Sequence, residues 1–365
     1  VKTPIKNVLK AIQVLILLYL FLLSIEMMGM GFKLFGKHFT DILFQTTASP
    51  FAGLLIGILV TSLVQSSSTV TSIVVGMVAG GTLTVSGAIP IIMGSNIGTS
   101  VTNTIVSIGS LSRRSEFKNG FSAAVVHDFF NILTVLILFP LQVSFNILGF
   151  LSAKAANLLV GTQGITFHSP LKTIINPVAL VLNELLANNP LLILITSLIL
   201  LFVALRYFVV ILKSLLISRI SSFFDKVIFK STVRALIFGI LLTAVVQSSS
   251  VTTSLIVPIV GSGILTLHQI FPYTVGANIG TTITALLASL VTGKTEALVV
   301  ALAHFMFNSL GALLILSIPA LRKIPLWCAN AFSQLVSNHR YLALIYIATF
   351  FYLIPLLFIF FSSKS

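Results

Sequence analysis

Gln65-Ser66-Ser67-Ser68 recurs as Gln247-Ser248-Ser249-Ser250, and at the same offset of 182 residues Gly94-Ser95-Asn96-Ile97-Gly98-Thr99 recurs as Gly276-Ala277-Asn278-Ile279-Gly280-Thr281. Thr71 and Thr253, Ser72 and Ser254, and Thr102 and Thr284 keep that offset. After a loop five residues shorter in the second copy, His127 and Asn131 match His304 and Asn308. Polar blocks in one order and at one spacing, set in apolar surroundings, restrict the chain to two copies of one folding unit.

The surroundings place both copies in a membrane. Of 365 residues, 57% are hydrophobic and only 8% are charged, against about 25% charged in a soluble globular protein. That excludes a soluble enzyme, a nucleic-acid module and a disordered tail. The net charge of +14, from 21 Lys and Arg against 7 Asp and Glu, reads as cytoplasmic loops beside anionic lipid rather than as a nucleic-acid surface. A single cysteine, Cys328, permits no intramolecular disulfide and fits a bacterial inner membrane. Lys2, Lys6 and Lys10 precede an apolar run from Ala11 that reaches Glu26-Met27-Met28-Gly29 without a small-x-small cleavage site. The run therefore reads as an uncleaved first span.

A crossing helix needs about 20 mostly apolar residues. Runs near 8–31, 82–109, 119–150, 190–216, 266–291, 296–320 and 340–361 meet this. The stretches 48–80 and 231–263 are each interrupted at the middle by the Gln-Ser-Ser-Ser block, so neither half can cross alone. They read as re-entrant helical hairpins. With the N-terminus cytoplasmic, 15 of the 21 Lys and Arg fall inside, as the positive-inside rule requires. Residues 1–150 then form a first unit and 151–189 an extracytoplasmic connection. Residues 190–320 form the second unit, and 321–365 a cytoplasmic amphipathic segment plus a last span that leaves the C-terminus outside. Each unit crosses three times, so the second enters from the opposite face. The fold class is an all-α membrane protein with an inverted-topology repeat, two re-entrant hairpins and about seven full spans. Such folds bind their substrate near the midplane, at interrupted helices, which points to a secondary transporter.

At a hairpin tip the returning helix offers free N–H groups and a partial positive charge, and Ser66, Ser67, Ser68, Ser248, Ser249 and Ser250 add hydroxyl donors. Two facing tips would surround a small oxyanion, whereas the plainer alternative is that serine runs join helices. The paired glycines around Asn96 and Asn278 can unwind a helix, leaving carbonyl, amide and hydroxyl oxygens suited to Na⁺. Their plainer alternative is a small-xxx-small packing groove. No Lys or Arg adjoins either block in sequence, although Arg234 stands at the mouth of the second hairpin. A desolvated anion there would depend on dipoles, hydroxyls and bound cations.

Glu26 and Asp128 fall inside spans, where acids are costly and function-linked. Asp128 breaks the repeat, because Phe305 holds its position in the second unit, and it suits a cation or proton role. Glu26 divides between coupling and packing. His127 and His304 read as helix–helix hydrogen-bonding groups. A serine hydrolase needs one distinct nucleophile with a base in reach, and duplicated serine triplets in near-identical contexts mark none. Metal-ligand spacing, a nucleotide-binding loop and a cysteine pair are absent from the sequence. The chain is not read as an enzyme.

The two Gln-Ser-Ser-Ser blocks, the two Gly-x-Asn-Ile-Gly-Thr blocks and Val126-His127-Asp128-Phe129-Phe130-Asn131 together resemble type II sodium-dependent phosphate cotransporters, over about residues 10–320. The size and the lone cysteine suggest a bacterial member. The resemblance implies uptake of inorganic phosphate driven by the sodium gradient, with sodium as co-substrate and no cofactor. It implies phosphate held by the serines of both blocks, and a sodium site at Gln247, Ser248, Thr281 and Thr284 with Asn278 close by. Gln65, Asn96 and Thr99 are the first-unit members of the sodium-binding or coupling set. Asp128 implies an additional sodium and net charge movement, since electroneutral members have glycine there. A homodimer with one pathway per protomer is implied too. The large outside loop of animal members carries paired cysteines and glycosylation, which this chain lacks, and animal members end with more membrane-spanning sequence. Another small oxyanion such as sulfate or arsenate, or a sodium-sensing membrane protein without transport, are the alternative readings.

Overall fold

The two hairpins show how the local sequence shapes the fold. Ser49 caps α2 (Pro50–Val64), its side chain accepting from the Ala52 N–H, with proline at the first position where its missing N–H costs nothing. Gln65 ends α2 in the left-handed region, at φ 57° and ψ 27°. Ser66 then turns extended and caps α3 (Ser67–Ala79). In the second copy, α10 (Thr232–Val246) ends at Gln247 with φ 55° and ψ 25°, and Ser248 caps α11 (Ser249–Gly261). The two breaks match within a few degrees. At 1.5 Å per residue, a 15-residue arm spans about 22 Å, short of the ~30 Å hydrocarbon core.

The computed structural model describes residues 2–34, 49–108, 114–160, 170–223 and 228–362. Residues 1, 35–48, 109–113, 161–169, 224–227 and 363–365, with Lys37, Arg113, Lys226 and Lys364 among the counted Lys and Arg, lie outside the described residues. The first unit comprises α1 (Lys2–Leu34), α2, α3, α4 (Val85–Thr99), α5 (Val101–Ile108) and α6 (Arg114–Phe145). Two helices follow, α7 (Ile147–Val160) and α8 (Pro170–Leu185). The second unit comprises α9 (Pro190–Phe223), α10, α11, α12 (Leu267–Thr292) and α13 (Thr295–Ser317). α14 (Pro319–Asn338) and α15 (Tyr341–Tyr346) come next, and a π-helical stretch, Ile347–Leu353, leads into α16 (Ile354–Ser362).

Among the described residues, six helical stretches are long and apolar enough to cross a membrane, one fewer than the spacing predicts. The seventh, 82–109, is broken. The Ser100 N–H and hydroxyl both turn back to the Ile97 carbonyl, at 3.4 and 2.7 Å, which closes α4, and α5 restarts beyond it. The second copy has no such break, and α12 runs through unbroken. The connection predicted over 151–189 holds most of α7 and all of α8. These helices expose Leu158, Leu159, Ile174, Val181 and Leu185 and pack on α13, α1 and α12, so the connection holds apolar-faced helices.

The expectation that the Gly-x-Asn-Ile-Gly-Thr blocks unwind their helices is corrected. Both blocks are helical throughout. Their glycines bring helix axes together instead: a Cβ on Gly94 would overlap the Leu54 carbonyl oxygen, and one on Gly276 the Leu236 carbonyl oxygen. Gly57 and Gly239 face back across the same two contacts, against the Ile91 and Tyr273 carbonyls. This is small-residue packing of α2 on α4 and of α10 on α12. Because the obstruction is backbone, no rotamer change relieves it. Gly94→Ala is therefore expected to destabilise the protein by about 1–3 kcal/mol or more, read as a lower thermal midpoint in detergent. An unchanged midpoint would contradict this packing.

The units interlock. α1 packs on α9, α3 on α12 and α13, and α11 on α5 and α6, so each returning hairpin arm is held by the other unit. α6 carries α14, and α13 carries α7. α14 buries Pro325, Leu326, Ala329 and Val336 and leaves Trp327 71% exposed.

Candidate functional site

Each tip forms from a short, strongly local rule. Serine is a favoured N-cap, and the Ser66 and Ser248 hydroxyls accept from the Thr69 and Val251 N–H groups at 3.2 and 3.4 Å. The preceding glutamine is left-handed in both copies. Such a non-glycine conformation is sparsely populated, and outliers of this kind cluster at ligand clamps and switch regions. Here it aims the first N–H groups of α3 and α11 at the break.

The interlocked packing brings the first tip to the second unit. The Ser68 hydroxyl donates to the Gln247 carbonyl at 2.8 Å and lies 3.0 Å from the Thr281 hydroxyl. Serine block one, glutamine two and Asn-Gly block two thus meet at one point. A buried chain of side chains runs beside it. The Thr253 hydroxyl shares its one proton between the Ser249 carbonyl at 2.6 Å and Asn103 Oδ1 at 3.0 Å, and Asn103 Nδ2 lies 3.2 Å from His127 Nδ1. His127 Nε2 is 2.5 Å from Asn278 Oδ1, Asn278 Nδ2 donates to Asn131 Oδ1 at 2.6 Å, and Asn131 Nδ2 donates to the Asn96 carbonyl at 2.6 Å. An amide nitrogen can only donate and an amide oxygen only accept. Nδ1 of His127 therefore accepts and Nε2 donates, so the ring is neutral and every link points the same way. The chain joins α4, α5 and α6 to α11 and α12.

Asp128 is fully buried. Its Oδ2 accepts from the Tyr346 hydroxyl at 2.8 Å, and its Oδ1 has no hydrogen-bond partner. Ser100 and Thr104 stand beside the carboxyl, but their hydroxyls donate to the Ile97 and Ser100 carbonyls. One carboxylate oxygen is thus left with unused acceptor capacity in a setting of hydroxyl oxygens.

The remaining predicted residues divide by unit. Gln65 is exposed, whereas Gln247 is 7% exposed. Ser67, Ser249 and Ser250 are buried, the first two lending their carbonyls to the Thr71 and Thr253 hydroxyls. Asn96 Nδ2 and Thr99 Oγ1 bond back within α4, to the Ile92 and Ser95 carbonyls. The Thr284 hydroxyl is buried without a partner. Glu26 lines a separate cavity of about 320 Å³ with Lys33, Asn176 and Lys294.

His127 bridges helices as the sequence predicts, while His304 is buried with neither ring nitrogen bonded. Sequence reasoning missed Asn103 and Tyr346. Asn103 matches Ala285 in the second copy, so a search for repeated polarity passes over it. Tyr346 lies outside both repeats, and only the adjoining π-helical stretch, a feature frequent at functional sites, marks it. Tyr352 from that stretch donates to the Ser62 carbonyl near the first tip at 3.0 Å.

The sequence model of the family described as Na⁺/Pi-cotransporter matches residues 20–165 and 200–318. Sodium-dependent phosphate transport protein 2A of Rattus norvegicus is 35% identical over 427 residues, covering 96% of this chain and 67% of that protein. The 2A protein of Ovis aries is 36% identical over 429 residues, with the same coverage. Sodium-dependent phosphate transport protein 2B of Homo sapiens is 33% identical over 436 residues, covering 93% of this chain and 63% of that protein. This chain therefore spans about two thirds of the length of these relatives. No solved structure gives a significant match. Both repeated blocks of each kind and the His127–Asn131 segment fall inside the matched residues, and the chain belongs to the Na⁺/Pi-cotransporter family.

Proposed function

We propose that this protein is a symporter that imports inorganic phosphate on the sodium gradient and does no enzymatic chemistry. The observation that carries the reading is the meeting of Ser68 with Gln247 and Thr281, which joins one hairpin tip to the other unit. Phosphate would sit between the Ser66–Ser68 and Ser248–Ser250 tips, held by hydroxyls and by the N–H groups that open α3 and α11. Sodium would take oxygens from Gln247, Ser248, Thr281 and Thr284, with Asn278 adjacent, and the Gln65, Asn96 and Thr99 equivalents would serve when the units exchange roles. Its charge offsets that of phosphate at a depth where the neighbouring sequence supplies no lysine or arginine. Asp128, with a free carboxylate oxygen, would hold an additional sodium and make transport electrogenic.

The same reading gives the two short-armed hairpins a re-entrant path and the units inverted topology. It puts the N-terminus in the cytoplasm of a bacterial cell and the chain in the inner membrane as a homodimer. The Lys and Arg distribution supports the orientation.

The test is radiolabelled phosphate uptake into proteoliposomes under an inward sodium gradient, with potassium replacing sodium as the control and sulfate and arsenate as competitors. The expected result is uptake that needs sodium and resists sulfate. Equal uptake in potassium would remove the coupling. Binding of sodium without uptake or exchange by folded protein would favour a sensor.

A further inference from the structure

The two units have matching sequences but do not make matching bonds. In the first unit His127 and Asn131 both hold Asn278 of the second unit. By the repeat, His304 and Asn308 should hold Asn96 of the first. They do not: both ring nitrogens of His304 and the Oδ1 of Asn308 have no partner, although each residue is only 1% exposed. Asn131 reaches across to the Asn96 carbonyl, whereas Asn308 Nδ2 falls back on the His304 carbonyl of its own helix at 3.1 Å.

The tips repeat the asymmetry. Ser68 bonds Gln247 and Thr281 across the unit boundary. Its counterpart Ser250 makes no such bond to Gln65 or Thr99 among the described residues, and Thr99 bonds within α4. Gln247 is buried and Gln65 exposed. Two sets of paired positions, the His-Asn grip on Asn278 and the Ser68 tip, are thus made in one direction and unmade in the other, and the burial of the glutamines follows the same division. Buried donors and acceptors in native proteins nearly always have partners. Leaving both ring nitrogens of His304 and the Oδ1 of Asn308 orphaned is tolerable if another conformation of the same chain satisfies them.

We infer that the two buried histidines are alternating positioning residues: His127 and Asn131 grip Asn278 in the conformation seen here, and His304 and Asn308 grip Asn96 in the opposite-facing conformation. Inverted repeats make this geometrically natural, since transport then amounts to the two units exchanging conformations around a fixed site. Each network stabilises one state only, so it biases the equilibrium by its own differential contacts. The exchange is not fully symmetric, because Asn103, which bonds His127, has Ala285 as its counterpart. The mirror network has one link fewer, and the conformation seen here is favoured at rest.

The inference rests on the transport reading, and phosphate uptake by the unmodified protein tests that reading separately. The inference itself is tested by cross-linking in a Cys328→Ser background, which removes the lone native thiol. The pair His127→Cys with Asn278→Cys reports the present state, and His304→Cys with Asn96→Cys the mirror state. Side chains in contact through their ends hold their Cβ atoms farther apart than a disulfide spans, so the expected result is that a short bifunctional thiol reagent links both pairs in separate samples, the second in the smaller fraction. If the first pair cross-links and the second never does, in protein whose parent transports phosphate, the inference is overturned.

A second measurement avoids paired substitutions of the bonded residues themselves. Alkylation of Gln65→Cys and of Gln247→Cys reads which tip is open. His127→Ala is expected to speed labelling at 247 relative to 65 by about three- to tenfold, the range of one buried hydrogen bond. His304→Ala is expected to shift the same ratio the opposite way, by less. Shifts in one direction for both variants, or no shift for either, would reduce the histidines to packing groups.

Discussion

With Ser68 replaced by alanine, sodium-driven phosphate uptake is expected to fall about ten- to a hundredfold. The hydroxyl is buried and bonded to the Gln247 carbonyl and the Thr281 hydroxyl. Removing it leaves partners unsatisfied at a site closed to water, a penalty of about 1–3 kcal/mol, and 1.4 kcal/mol is a factor of ten in an equilibrium. The same change deprives the proposed phosphate site of a donor and the proposed sodium site of a neighbour. Ser68→Thr keeps the hydroxyl and is expected to recover part of the loss. Initial rates at matched protein levels in proteoliposomes check both, and uptake by Ser68→Ala within twofold of the parent would contradict the assignment. Ser250→Ala provides a contrast. Its parent hydroxyl makes no bond across the units here, so the variant is expected to keep the thermal midpoint while still losing uptake, as a residue needed only during the cycle would.

Asp128→Asn is expected to abolish the response of uptake to membrane potential while sparing some sodium-dependent transport. Moving one charge through the membrane field is worth about 2.3 kcal/mol per 100 mV, or about fiftyfold in accumulation, so the signature is large. Asparagine preserves the size and the contact with Tyr346 but gives up the charge that would bind the additional cation. Tyr346→Phe removes the donor to Oδ2 without touching the carboxyl, and is expected to change the apparent sodium affinity and leave voltage dependence in place. Uptake by Asp128→Asn that responds to potential as the parent does would exclude Asp128 from charge coupling. These two variants separate the carboxylate from the side chain that orients it.

The hairpin breaks are legible in the sequence because their causes are local. A serine cap and an abrupt polar stop in a run too short to cross dictate a helix end wherever they occur, and both copies end with the same dihedrals. The glycine blocks mislead for the same reason. Paired glycines around an asparagine permit unwinding and close packing alike. The choice depends on what lies opposite, and the backbone carbonyls of Leu54, Ile58, Leu236 and Ile240 lie opposite the glycines of the two blocks. The break at Ser100 has no counterpart in the second copy, so the repeat concealed it.

The sequence by itself determined that the chain is a membrane protein of two like units, where each helix breaks at a tip, and which polar residues are held in common. Those properties follow from charge scarcity along the chain, recurrence at one offset and local caps, none of which needs a tertiary contact. Only the tertiary structure decided which partners those residues take. Ser68 reaches Gln247 across 179 positions and Tyr346 reaches Asp128 across 218, contacts fixed by how the units interlock. It also decided that equivalent residues are not equivalently bonded. Like motifs are bonded alike only where the elements packed on them are alike, and no local rule distinguishes His127 from His304.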